Sequence, residues 1–139
     1  ELGQRFLKNK KATLLLTPQD IFDELRDIRK SKKEHFVVFF LDVRNQEIRR
    51  EIISIGILYT NIVHPREVFE PAIKYSAAQV IFAHNHPSGN PSPSDEDIIV
   101  TKRLFDANNM LGISVIDHVI VAPDSFFSFK EEGLIEFRR

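Results

Sequence analysis

Cysteine is absent from this chain. That excludes disulfides and thiolate metal sites, so any bound metal must rest on histidine and carboxylate ligands. Tryptophan is absent too, while phenylalanine occurs 12 times, so aromatic packing in the core rests on Phe. No apolar run approaches the roughly 20 residues of a bilayer span, and no signal-peptide pattern is visible. The expectation is a cytoplasmic protein without membrane partners. Charge of one sign is not in excess: the net charge is −1, which gives no global pull toward nucleic acid. Internal repeats and low-complexity tracts are also missing. What remains is 139 residues, 42% hydrophobic and 28% charged, the profile of one globular domain with a single core. The chain begins at Glu1 without an initiator methionine and is expected to be a piece of something longer.

The most informative stretch is Val80 to Asp97, VIFAHNHPSGNPSPSDED. It opens as an apolar run suited to a buried strand. His84 and His86 follow, two apart, so on a strand both imidazoles face the same side. Pro87, Gly89, Asn90, Pro91 and Pro93 are turn formers that bend the chain back. That return can bring Asp97, in the first turn of the next helix, to the same point as the histidines. Two imidazoles and a carboxylate are the ligand set of an open catalytic zinc site, with a fourth position for water. The plainer alternative is a pair of hydrogen-bonded histidines beside a helix start. Ser94 and Asp97 have the spacing of a capping box, which satisfies free N–H groups whether or not a metal is bound.

Along the rest of the chain, residues 1–16 mix a basic segment with Leu14 to Leu16 and read as an N-terminal extension or linker; residues 17–139 form the domain. Thr17-Pro18-Gln19-Asp20 is a helix start, and Ile21, Phe22, Leu25 and Ile28 define an amphipathic helix to about Lys30. The basic run Arg29, Lys30, Lys32 and Lys33 suits a solvated helix end. Phe36 to Leu41 reads as a central strand buried on both faces, and Glu47 to Leu58 as its hairpin partner. Pro65 opens a helical pattern in which Pro71 implies a kink or a later start. A helix from about Asp95 to Met110 buries Ile98, Leu104, Phe105 and Leu111 and ends before Gly112. Ile113 to Val121 is a core strand, and Ser125 to Lys130 a shorter, edge-like one. Helices interspersed among such strands predict an α/β fold, a mixed β-sheet sandwiched by helices.

His-x-His, seven residues, Ser, two residues and Asp is also the spacing of the JAMM (MPN-plus) metalloprotease signature, matched here at every required position. The wording HNHPSGNPSPSDED, with HPREVF at His64 to Phe69 and DHVIV at Asp117 to Val121, resembles the RadC family over nearly the whole chain. The resemblance implies a cytidine-deaminase-like fold of the JAMM/MPN type. It also implies zinc on His84, His86 and Asp97, and hydrolysis of a peptide or isopeptide bond in a protein or peptide substrate. The family pattern puts the general acid/base on an upstream Glu where the first helix passes into the first core strand, a place held by Glu34. It gives Ser94 a hydrogen bond to the oxyanion.

Each role has a rival. Glu34 is also an ordinary charge at a strand entrance, and Glu67 competes as base, although a first-turn helix acid explains Glu67 as well. His118 and Asp117 are adjacent on a strand, face opposite ways, and suit structural roles. His35 and His64 read as surface or hydrogen-bonding histidines. Two other functions stay open: a DNA-repair-associated factor, for which near-neutral charge predicts only weak DNA binding, and a metal-bearing interaction module without peptidase activity. A nucleobase deaminase is excluded, because its H-x-E…P-C-x-x-C signature needs cysteine. Deubiquitinating JAMM enzymes usually carry Ser or Thr between the two histidines, where this chain has Asn85, so ubiquitin-like specificity is not carried across.

Overall fold

A computed structural model describes residues 13–56 and 63–136; the basic segment before residue 13 and the far end of the expected hairpin strand lie outside them. Five strands form one mixed sheet: β1 His35–Leu41, β2 Glu47–Ile55, β3 Gln79–Asn85, β4 Ser114–Val121 and β5 Phe126–Ser128. Their spatial order is β2-β1-β3-β4-β5. The β1–β2, β1–β3 and β4–β5 pairs are antiparallel and β3–β4 is parallel. Among the described residues the helices are α1 Pro18–Glu24, α2 Arg26–Arg29, α3 Pro65–Lys74 and α4 Asp95–Met110.

Alternation along the strands sorts the core into two layers. Phe36, Val38, Phe40, Val80 and Phe82 face Val68 and Ala72 of α3 and Val100, Leu104 and Phe105 of α4. Val37, Phe39, Leu41, Ile81 and Ala83 face the other way, toward Ile21 of α1 and Leu25 just after it. The continuous apolar run of β1 thus reflects a strand covered on both faces, as expected. Leu15 is also buried in the α1 layer, and its N–H donates to Asn45 O at 2.9 Å, so residues 13–16 pack against the hairpin loop. No helix among the described residues is long and apolar enough to cross a membrane.

Three details depart from the sequence expectations. The first helix breaks at Leu25, whose N–H bonds to Phe22 O, three residues back, instead of continuing the α-helical spacing. A short second turn, α2, follows to Arg29. Of the two alternatives read for Pro71, the later start is not met: the helix opens at Pro65 and carries Pro71 inside it. On α4, Leu111 is 49% exposed, because it is the cap residue after the last turn. Leu104 and Phe105 are buried as expected, and the rest of the buried side of α4 is Asp97, Val100, Thr101 and Asn108, so half of that side is polar.

The C-terminal ends of α3 and α4 are closed by left-handed residues. After α4, Gly112 (φ +77) sends its N–H to Asn109 O, and Ile113 N–H bonds Asn108 O, which is the Schellman pattern. After α3 the same pattern forms with Ser76 at φ +56: Ser76 N–H bonds Ile73 O and Ala77 N–H bonds Ala72 O. A side chain at that φ is strained where glycine is not. Ser76→Gly is therefore expected to stabilise the fold by about 0.5–1 kcal/mol after the entropy glycine adds to the unfolded chain. A thermal or urea melt checks it; a lower midpoint would contradict the strain argument.

Candidate metal centre

The site forms where β3 ends and α4 begins, the carboxyl-end crevice where open α/β sheets commonly bind ligands. His84 and His86 lie on the α4 side of the sheet, and a turn-rich loop returns the chain to α4. His86 N–H donates to Val121 O at 2.9 Å and accepts Gly89 N–H on its own carbonyl at 3.1 Å. Asn90 N–H reaches Ser88 Oγ at 3.3 Å and Ser92 N–H reaches Asn90 Oδ1 at 3.0 Å. Gly89 takes φ +95, a conformation that favours glycine. Ser94 then caps α4: its Oγ accepts Asp97 N–H at 3.1 Å, and Asp97 Oδ2 accepts Ser94 N–H at 2.8 Å. The capping box read from the sequence is present, and it orients the Asp97 carboxylate.

The ligand atoms of His84, His86 and Asp97 all lie within 4.8 Å of one another. His84 Nε2 is 3.1 Å from His86 Nε2 and 3.3 Å from Asp97 Oδ1, and His86 Nε2 is 3.1 Å from Asp97 Oδ2. Ligands at the roughly 2.0–2.1 Å typical of zinc stand about 3.3 Å apart at tetrahedral corners. The three residues therefore fit a tetrahedral cation, with one corner left over. His86 Nδ1 lies 2.9 Å from Asn90 O; a carbonyl only accepts, so Nδ1 carries hydrogen and Nε2 faces the cluster. Beneath His84, its Nδ1 meets His118 Nε2 at 2.8 Å. The buried His118 ring stacks on Phe129 at 4.8 Å between centroids.

The electrostatics favour positive charge at this point. Burial pushes the Asp97 carboxyl up, but the two imidazoles and the Ser94 N–H outweigh it and hold Asp97 well below the usual carboxylate range. Burial pulls His86 down, yet hydrogen bonds to Asp97 and Asn90 and the charges of Asp97 and Glu34 leave it above its ordinary value. His118, fully buried, is held well below its ordinary value chiefly by that burial, so it stays neutral.

Glu34 precedes β1 and lines a small cleft with His35, Phe36, Ser54, Gly56 and His84. Its carbonyl accepts Gly56 N–H at 2.8 Å, and its charge acts on His86. Glu67 caps α3, its Oε1 accepting His64 N–H at 2.8 Å, while His64 Nδ1 accepts Arg66 N–H at 3.2 Å. His35 bonds the Lys33 carbonyl through Nδ1 at 2.9 Å. Asp117 faces away from the metal cluster, accepting from Ser128 Oγ at 2.6 Å and from the N–H groups of His118 and Lys130.

Asn85, fully buried between the two histidines, was read from the sequence only as a departure from deubiquitinating enzymes. Its side chain points to the opposite face and grips the backbone on both sides of Glu34. Oδ1 accepts His35 N–H at 2.7 Å, and Nδ2 donates to Lys33 O at 2.9 Å and more weakly to Ser31 O at 3.4 Å. The amide extends the β1–β3 ladder past Phe36 and His84, the last paired residues. No sequence signal marks it, since an amide between two histidines is equally at home on a surface loop.

A five-stranded mixed sheet between helix layers, with a His-His-Asp cluster at the end of a central strand, defines a JAB/MPN-type domain. The model for the RadC-like JAB domain matches residues 15–134, and the chain belongs to that RadC family. It is 49% identical over 99% of its length to a UPF0758 protein of Caldanaerobacter subterraneus subsp. tengcongensis, covering 60% of that protein. With a UPF0758 protein of Desulforamulus reducens it shares 46% identity over 97% of its length and 61% of the relative. With UPF0758 protein YsxA of Bacillus subtilis it shares 45% over 97% and 60%. The chain thus spans about three fifths of the length of these curated relatives.

Asn85→Ala leaves the His35 N–H without its side-chain partner, at about 1–3 kcal/mol, while the Lys33 carbonyl keeps its contact with His35 Nδ1. The variant is expected to lose about 1–3 kcal/mol of stability, read as a lowered urea midpoint with unchanged slope. A wild-type midpoint would show that the clamp carries no load.

Proposed function

We propose that this domain is a metal-dependent hydrolase of peptide or isopeptide bonds, with zinc held by His84, His86 and Asp97. The observation that carries the reading is the set of 3.1–3.3 Å separations among three ligands at a strand end, with a carboxylate outside that set, Glu34, lining the cleft shared with His84. Nitrogen and oxygen donors without thiolate suit zinc, although iron, nickel and copper accept the same set. When bound, zinc supplies a Lewis acid and acidifies a coordinated water to near neutrality.

The protein's own groups have the following tasks. Glu34 takes a proton from the attacking water and returns it to the leaving amine, as a general acid/base. The clamp of Asn85 on Lys33 and His35 holds the Glu34 backbone for that task. Ser94 uses its oxygen to cap α4, which leaves its O–H able to donate to the oxyanion of a tetrahedral intermediate. His86, more open than His84 (13% against 1% side-chain exposure), marks the side from which substrate enters. The substrate is a protein or peptide, and the longer relatives leave room for other regions to select it.

Three outcomes are expected. Metal quantitation should find one transition-metal ion per chain, lost in a His84→Ala, His86→Ala double variant; equal metal content in both would remove the site. Glu34→Gln should keep the metal while any cleavage found in a peptide and isopeptide screen falls by roughly 10²- to 10⁴-fold; retained cleavage would free Glu34 of the role. Zinc affinity, measured by chelator competition, should fall with decreasing pH. The proton on His86 Nε2 must leave before a metal can bind there, and the raised His86 value starts that fall above pH ~6.5. A flat profile from about pH 8 to about pH 6 would contradict it.

A further inference from the structure

Two of the three ligands are joined beneath the site by a buried chain of hydrogen bonds. His84 Nδ1 is 2.8 Å from His118 Nε2. His118 Nδ1 is 2.5 Å from Thr101 Oγ1, and Thr101 Oγ1 is 2.7 Å from the main-chain carbonyl of Asp97. Thr101 and His118 are fully buried and His84 nearly so, so water does not supply substitute partners.

The direction of this chain follows from counting hydrogens. A carbonyl oxygen only accepts, so the single Thr101 hydroxyl hydrogen belongs to the contact with Asp97 O. Thr101 Oγ1 must then accept from His118 Nδ1–H. A neutral His118 protonated on Nδ1 has a bare Nε2, which accepts from His84 Nδ1–H. His84 is left with its hydrogen on Nδ1 and a lone pair on Nε2, the nitrogen that faces His86 and Asp97. The opposite order would set the Thr101 oxygen and the Asp97 carbonyl oxygen 2.7 Å apart with no hydrogen between them, a buried repulsion set against the longer His84 Nε2 to Asp97 Oδ1 contact at 3.3 Å.

We propose that Thr101 and His118 are positioning residues that fix His84 in its Nδ1–H tautomer, presenting a bare Nε2 to the cation. Thr101 acts as the reference point: the helix carbonyl of Asp97 decides where its hydrogen goes, and the imidazoles follow in turn. One element, the start of α4, thereby supplies the Asp97 carboxylate and sets the protonation pattern of His84 across the sheet. The proposal rests on His84 being a metal ligand, but the tautomer itself is a property of the metal-free chain.

The test uses the chain labelled with ¹⁵N, with imidazole nitrogens read by two-bond ¹H–¹⁵N correlation and zinc affinity by chelator competition. Metal-free wild type should show His84 with a protonated Nδ1 and a bare Nε2. Thr101→Val keeps the shape and removes the hydroxyl. It should turn His84 into a tautomer mixture and weaken zinc binding by the roughly 10- to 100-fold typical of lost outer-shell partners. Thr101→Ser, which restores a hydroxyl, should recover both. A wild-type His84 protonated on Nε2 would overturn the proposal, even if Thr101→Val fails to fold. So would a folded Thr101→Val with the wild-type tautomer and wild-type zinc affinity. If wild type binds no zinc, the hydrolase reading fails, and the His84 tautomer still decides this inference.

Discussion

The antiparallel pairing of β1 with β3 sets Phe36 opposite His84, and the site depends on that register. Strand side chains alternate, so fixing His84 and His86 toward α4 sends Asn85 to the other face. The same register ends β1 beside the histidines, with Glu34 one residue beyond its first member. A slip of one residue would turn both imidazoles toward α1 and put the amide against Asp97. What resists a slip is the apolar content of both faces: Phe36, Val38 and Phe40 fill one layer, and Val37, Phe39 and Leu41 the other. Packing that has no chemistry of its own thus holds the chemical groups in place.

The α4 side of the sheet combines this packing with an unusual load of polar atoms. His84, Asp97, Thr101, Asn108 and His118 are all buried. Burying such groups is tolerated when they find partners. Among the described residues, the buried side-chain atoms without one are Arg29 Nε and Asn108 Oδ1, neither of them in the metal cluster. The network is therefore satisfied where it meets the ligands. A satisfied buried network has one low-energy arrangement, and that gives imidazole rings a defined orientation in a way that apolar contacts alone do not.

The parts of this design that the sequence displays are those with a periodicity or a local partner. Phe36–Leu41 and Val80–Ala83 announce buried strands by composition, and His84 and His86 share a face by parity. Ser94 and Asp97 satisfy each other within one helical turn. Glu34 is placed by its position before β1 once the family pattern is in view. Asn85, Thr101 and His118 are different, because their partners are distant in the chain: Lys33 and His35 for the amide, His84 for the second imidazole. Polar residues on α4 also hid its buried face. Asp97, Thr101 and Asn108 look like a solvated stripe, which made Leu111 seem the natural continuation of the apolar side. The break at Leu25 has no breaker residue to mark it.

The loop between the two halves of the site shows how the ligands are brought together without a large core of its own. From Pro87 to Pro93 it is largely exposed, yet it is tied at short range by Gly89 to His86, Asn90 to Ser88 and Ser92 to Asn90. Pro87, Pro91 and Pro93 restrict the unfolded chain as well as the folded one, so less entropy is lost on ordering the loop. The contact of Asn90 O with His86 Nδ1 also decides which nitrogen of His86 faces Asp97. The loop therefore returns the chain to α4 and sets the tautomer of the outer ligand, while the buried Thr101–His118 pair bears on the inner one. Both imidazoles are oriented from their far nitrogens, by a carbonyl in solvent on one side and by a buried hydroxyl on the other. The near nitrogens are left to meet whatever cation the carboxylate attracts.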